Sequence, residues 1–595
     1  ELAARWWVPA AWLVFAFHFL WARMPFWRGY TCHVLWNLAV VFLVATGTMP
    51  GYTPGRLSAT SQYWHSQNNG FVEPAGWYDV TGFSPPPKWT VPNAPPPVAL
   101  SLSVRMTVPQ EDTGVEGPAW EPMSFFQADC PPVVTRSCTH NESIAIAGRL
   151  LVEQATVADW VVPSLDSFSR AYDKPFRYAK TPFDVWVARY PAAERVRLTH
   201  AKAEVDAGPY NKSWAQRHRV FTKTEKVMKS GPSGVDDYQP RLIESCTPHY
   251  NAAVGPHIHG LTVSEKKRYN INSPGWMSMG ASSETIGRWY DETTEWNPSG
   301  KWYKLDRRRF DANVTSDMLD WKVRNYERAG MPSSIARFMR DSNAVNKGVS
   351  AHGVKFRCPG RVVTGTCDTS LGNTKMCLDV VAWTVWRRVG HKRYVQHLRG
   401  DWLYRAAAQG DDMVISAAAE LTATGWEPND EAVVGFKPQA VEVEPEHVEF
   451  LSQLFYPHEK DGRVYHVLGP KPGRQLAKFG VDIDRDVDPR AKLRGCIASV
   501  ATDWAHVPVL SETLQRQREL VGYGREAAMA KDHWFKPHAH QYHVITAVTW
   551  RFLAAYYNTT VDQLQELSQF MCQQPALRMA VSHPLLTYIA EHDLK

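Results

Sequence analysis

Asp306 and Asp311 are separated by four residues in KLDRRRFDANVTSDMLDW (Lys304 to Trp321), and Asp411 and Asp412 are adjacent in AAAQGDDMVI (Ala406 to Ile415). A carboxylate ending a buried strand is costly unless a cation or a hydrogen-bond donor neutralises it. Each pair alone also fits a blander role: Asp-x4-Asp as a helix cap or solvated turn, and Gly-Asp between apolar runs as an ordinary hairpin. Between them lies TGTCDTSLGNTKMCLDVV (Thr364 to Val381), where Gly365 and Gly372 permit close backbone approach. Thr369, Ser370 and Asn373 bring hydroxyl and amide groups to the start of a helix. Such a loop can hold a ribose or a phosphate, or simply cap a packed helix. Chance supplies all three features in this order poorly.

The elements that must position these residues follow from periodicity. Asp306 is expected where a short strand meets a helix, since Val314, Met318 and Trp321 recur at helical spacing beyond it. Leu371, Leu378, Val381 and Val385 mark one face of a second helix. Asp411 and Asp412 fall in a turn between two short strands.

Together the three strings resemble the palm of viral RNA-dependent RNA polymerases, specifically the tombusvirus-like and nodavirus-like positive-strand group, in which they run close to LDxSRFD, SGxxxTSLGN and GDD. Upstream, RVFTKTEKVMKS (Arg219 to Ser230) and PRLIESCTPHYNAAVGPHI (Pro240 to Ile258) resemble the basic fingers region that meets the incoming triphosphate. Downstream, VGFKPQAVEVEPEHVEFLSQLF (Val434 to Phe455) is similar to segments closing the palm. The resemblance implies an α+β right-hand fold of fingers, palm and thumb. It also implies nucleotidyl transfer with two Mg²⁺ ions, Mn²⁺ being the alternative, held by hard oxygen ligands.

On that resemblance, Asp306 and Asp411 are expected as metal-bridging catalytic residues, with Asp412 assisting. Asp311 is expected beside the sugar, accepting from the ribose 2′-hydroxyl with Asn373 and Thr369 or Ser370. A site built to hydrogen-bond a hydroxyl rejects the analogue lacking it, so ribonucleotides are favoured. Lys223, Lys226 and Arg241 are expected on the triphosphate, Arg241 most firmly because a guanidinium grips phosphate through paired donors. Lys437 is a candidate general acid for the departing pyrophosphate. Two departures stand out. Arg307 and Arg308 fill positions where only Arg309 matches the family string, and their charge could lower carboxylate pKa values or repel metal. Thr364 and Thr366 stand where the family usually has serine and often has aspartate.

The remaining sequence is permissive. A chain of 595 residues, 44% hydrophobic, can bury a large core of several subdomains. A charge of +6 suits a polyanionic partner without requiring one. Nine cysteines without a CxxC pair read as reduced thiols, and neither Cys130, Cys138 and His140 nor the histidines of KDHWFKPHAHQYH (His533, His538, His540, His543) have convincing zinc-ligand spacing. Trp6 to Ala22 and Tyr30 to Met49 are each about long enough to cross a bilayer, although Arg23 and Arg28 between them sit awkwardly for a cytosolic hairpin. Because the chain begins with Glu1, a fragment or processed product is an open reading, as is an upstream domain.

The expected organisation is membrane-anchoring segments over 1–50, a Pro-rich linker region over 51–110, the fingers and N-terminal polymerase region over 111–300, the palm over 301–456 and the thumb over 457–595. Expected partners are template and product RNA, ribonucleoside triphosphates and the cytoplasmic face of a host intracellular membrane, with self-association or host factors open. A reverse transcriptase and a catalytically inactive membrane-bound RNA-binding scaffold are the rivals.

Overall fold

In a computed structural model, the protein is described from Cys138 to Leu594 except for 174, 224–225, 228–239, 480, 483–487, 525–542 and 575–582, with short pieces at 88–89, 104–108, 121–122 and 133–135 before that. The two apolar N-terminal segments lie outside the described residues, as do most of the Pro-rich stretch and His533, His538 and His540. Among the described residues no helix is long and apolar enough to cross a membrane.

The architecture is mixed α+β. Its central sheet has five strands: β1 (Gly275–Met277), β2 (Lys301–Arg307), β3 (Tyr404–Gln409), β4 (Asp412–Ala417) and β5 (Pro438–Val443). Their order is β5-β2-β4-β3-β1, all neighbours antiparallel except β3 and β1. Alternation sorts the side chains onto two faces. Tyr303, Leu305, Met413, Ile415, Ala406 and Ala408 join the main core beneath two helices, α1 (Ser316–Arg328) and α2 (Thr369–Leu398). Trp302, Val414 and Ala407 pack on the other face with Trp276, Trp289 and Phe455.

Small residues let α2 lie close to the sheet, and a Cβ on Gly275 would sit 3.1 Å from Leu378 Cδ2. Leu371, Leu378, Val381 and Val385 are all buried, as the spacing predicts, but most of 371–385 is buried with them. The first half of α2 is therefore a core helix rather than an amphipathic one. Val314, Met318 and Trp321 are likewise buried, although Val314 precedes α1, whose N-cap Thr315 accepts from the Met318 amide.

A second five-stranded sheet contains Leu242–Cys246 at one edge, then Arg217–Thr222, Val345–Ser350, Lys355–Pro359 and Arg105–Thr107. Towards the C-terminus, the hairpin Gln453–Lys460 and Arg463–Pro470 leads, among the described residues, into five longer helices with their own core around Leu493, Leu514, Leu553, Leu567 and Ile589. His543 is buried and lies within hydrogen-bond distance of Tyr465 and Glu284.

Candidate active site

The hairpin joining β3 to β4 has a two-residue loop, because Gln409 pairs directly with Asp412. Gly410 takes φ +68°, the left-handed region that glycine enters without strain, and this suits the first central position of a tight hairpin turn. The Gly410 amide donates to Thr374 Oγ1 at 2.8 Å, and that hydroxyl donates to the Ser370 carbonyl at 2.7 Å. Helix α2 thereby holds the turn. One strand over, Met413 pairs with Leu305, so the ladder brings Asp412 beside Asp306 at the open ends of β4 and β2. On its other side Asp306 is in register with Gln439 of β5.

Asp311 belongs to a short helix, Phe310–Asn313, entered through Arg309 in a left-handed conformation with φ +52°. The segment is pinned from outside: Ala312 carbonyl accepts from buried Arg361 at 2.9 Å and from Gln154 at 3.2 Å. Asn373, on the first turns of α2, donates to Asp311 Oδ1 at 2.9 Å. Asn373 Oδ1 is buried and accepts from no described group.

The glycine-rich loop docks on the second sheet. Gly365 donates to the Glu244 carbonyl at 2.8 Å, where a Cβ would lie 2.5 Å from that oxygen. Thr364 Oγ1 accepts from the Glu244 amide at 3.0 Å, so this threonine serves the docking. Thr369 donates to the Val363 carbonyl at 2.9 Å and staples the loop. Asp368 is held by buried Lys322 and by Tyr326 at 2.8 Å, which commits it to structure. Gly372 gives them room, since its Cβ would sit 3.0 Å from Asp368 Oδ2.

These pieces line one cavity of about 690 Å³. Asp306, Asp311, Asp411, Asp412, Lys223, Arg241, Thr369, Ser370 and Asn373 all border it. Lys223 and Arg241 stand at adjoining ends of two paired strands, the Lys223 amide donating to the Arg241 carbonyl at 2.7 Å. Arg149, Arg308 and Arg309 add further cations to the wall, and Arg149 is the one of them that no sequence motif singles out. One expected residue is not brought in: Lys437 is exposed and does not border the cavity, while its carbonyl accepts from the Arg308 amide at 3.0 Å. Lys226 contributes a backbone pairing with Val134, and its side chain lies outside the described residues.

Arg307 and Arg308 diverge. Arg307 turns into the protein, where its guanidinium forks onto Glu431 with both contacts at 2.7 Å and donates to the Asp411 carbonyl at 2.7 Å. Arg308 stays exposed on the cavity wall.

The carboxylates crowd one another. Loss of water around it, then the Asp411 and Asp306 charges, push Asp412 up to about 6. Burial also raises Asp411, against the pull of Arg307 and Arg241. Burial and then the Asp411 charge push Asp311 up to about 7, although Asn373 opposes this. Among the described residues no three His, Cys, Asp or Glu side chains are already gathered into a metal cage. What is present is a pair of adjacent carboxylates, both raised chiefly by burial, beside a third. Such a donor set fits a hard divalent cation that keeps water and takes the rest of its shell from phosphate.

The Asp311 shift has a consequence for stability. A carboxyl whose folded pKa lies above its unfolded value stabilises fully below pH 3.8, and that stability is lost as pH rises through about 7. Asp311→Asn, which does not titrate, should therefore gain on the metal-free wild type as pH rises from 4 to 8. The gain should reach on the order of 2–4 kcal/mol. Melting temperatures at pH 4, 6 and 8 check this, and a pH-independent difference would show that Asp311 is not held protonated.

No protein-family model matches the chain. Over 173 residues the chain is 28% identical to a protein named RNA-directed RNA polymerase from Melon necrotic spot virus. The match covers 28% of this chain and 21% of that protein, so this chain is similar, over that stretch, to part of one viral RNA-directed RNA polymerase.

Proposed function

We propose that the chain is an RNA-directed RNA polymerase with a right-hand fold. The central sheet with α1 and α2 would be the palm, the second sheet and its helices would belong to the fingers, and the C-terminal helices would form the thumb. The observation that carries this reading is the convergence of three distant strings on one cavity, with aspartates on its floor and Lys223, Arg241, Arg149 and Arg308 around its wall. Likeness to a viral RNA-directed RNA polymerase supports it.

In this reading two Mg²⁺ ions, held by Asp306 and Asp411 with Asp412 assisting, would activate the RNA 3′-hydroxyl and neutralise the triphosphate. Lys223 and Arg241 would grip the incoming triphosphate, with Arg149 and Arg308 extending the basic track. Asp311 and Asn373 would orient the ribose through its 2′-hydroxyl. Positive-strand viral RNA as the template, and a host membrane as the place of synthesis, are the finer parts of the proposal.

The full chain, supplied with a primed RNA template, Mg²⁺ and ribonucleoside triphosphates, should extend the primer according to the template. Preference for deoxynucleotides would indicate a reverse transcriptase. RNA binding without any extension, in Mg²⁺ or Mn²⁺, would leave only a scaffold.

A further inference from the structure

We propose that Arg307 is a positioning residue which, with Glu431, clamps the Gly410–Asp411 turn into a metal-receiving shape. This rests on the polymerase reading and deepens it. Arg307 is the last residue of β2, one position past Asp306, and alternation sends its side chain to the sheet face opposite the Asp306 carboxylate. There it is fully buried with Glu431, which lies on the 3-10 helix Pro428–Val434.

The geometry uses three donors in two directions. Nε and Nη2 form the parallel fork onto Glu431, and Nη1 reaches the Asp411 main-chain carbonyl. A planar guanidinium whose fork is fixed by a carboxylate has its remaining donor aimed as well. Arg307 therefore sets the peptide plane following Asp411, while Thr374 sets the other end of the same turn through the Gly410 amide. The Asp306 carboxylate is tied to the same residue, because Asp306 Oδ1 accepts from the Arg307 amide at 2.7 Å. One residue thus fixes the orientation of both proposed bridging aspartates, through its backbone on one side and its side chain on the other. The positive charge that looks hostile to a metal is neutralised by Glu431 and lies behind the turn.

The clean test removes both charges. A buried ion pair can be replaced by apolar groups with little loss of stability, whereas removing one partner strands the other. In full-length Arg307→Met/Glu431→Leu, Mn²⁺ affinity should fall about tenfold, matching the loss of one charge-assisted hydrogen bond. Binding is read by electron paramagnetic resonance with Mn²⁺ alone. The Mg²⁺ concentration for half-maximal extension should rise by a similar factor, with the KM for nucleotide nearly unchanged. Arg307→Lys keeps the charge balance, cannot span both acceptors, and should shift Mn²⁺ affinity in the same direction. This second variant decides the matter if the double variant does not fold. Wild-type Mn²⁺ affinity in whichever variant folds would overturn the clamp alone. A wild-type chain that neither binds Mn²⁺ nor extends RNA would overturn the polymerase reading and the clamp with it.

Discussion

Asp411→Asn should reduce template-directed extension by at least about a thousandfold while leaving the protein folded, because removing one member of a catalytic unit disables the whole. The substitution keeps shape and removes charge. Asp411 is partly buried, and burial already pushes its carboxyl above the ordinary range, so the neutral amide relieves crowding rather than creating it. The Arg307 contact is made to the main chain and survives the change. Activity and stability are therefore expected to separate: extension vanishes, and the melting temperature holds or rises. Extension within a factor of about ten of wild type would remove Asp411 from the chemistry, since a bridging ligand cannot be lost that cheaply.

Sugar discrimination should collapse in Asn373→Ala and in Asp311→Ala. Asn373 donates to Asp311 at 2.9 Å and keeps its own carbonyl oxygen without a described partner, so the pair has one acceptor waiting for a donor such as a ribose hydroxyl. When a deoxynucleotide binds, that group stays unpaired, and a site of this kind discriminates strongly. Losing either side chain should lower the ratio of kcat/KM for NTP over dNTP by about 10–100-fold, mainly by admitting the deoxy substrate. Competition assays with matched NTP and dNTP measure it directly. Should the ratio stay put in both variants, the 2′-hydroxyl is read elsewhere. Asp311→Asn is the informative companion, because it is expected to stabilise the protein while weakening this function, a trade seen where a site holds strained or crowded groups.

Local pattern revealed the strands and helices around Asp306, Thr369 and Asp411, because alternation and helical spacing are written in adjacent residues. The order of the three strings also points to one site, and nine of the eleven candidate residues border a single cavity, Lys437 lying off it and the Lys226 side chain outside the described residues. Partnerships across long separations were not readable. The direction of Arg307 depends on Glu431, 124 residues away, and the pinning of Ala312 depends on Gln154, 158 residues away. Thr374 looks like any helical threonine until the hairpin amide is seen against it. Thr369 and Ser370 are alternatives for the sugar from sequence, yet the Thr369 hydroxyl is engaged with Val363, a distinction of rotamer and loop shape that composition does not carry. Arg149 precedes every recognised string and reaches the cavity wall only through the fold.

The two-residue turn at Gly410 and Asp411 also says how this site can change over time. Because side chains alternate with period two along β4, one inserted residue would move Asp412 to the other face and slide the ladder against β2. A substitution in the turn alters one group, whereas an insertion misplaces a whole strand. Drift in this region is therefore confined far more tightly in length than in spelling, and tolerance for extra residues should begin only beyond the paired strands.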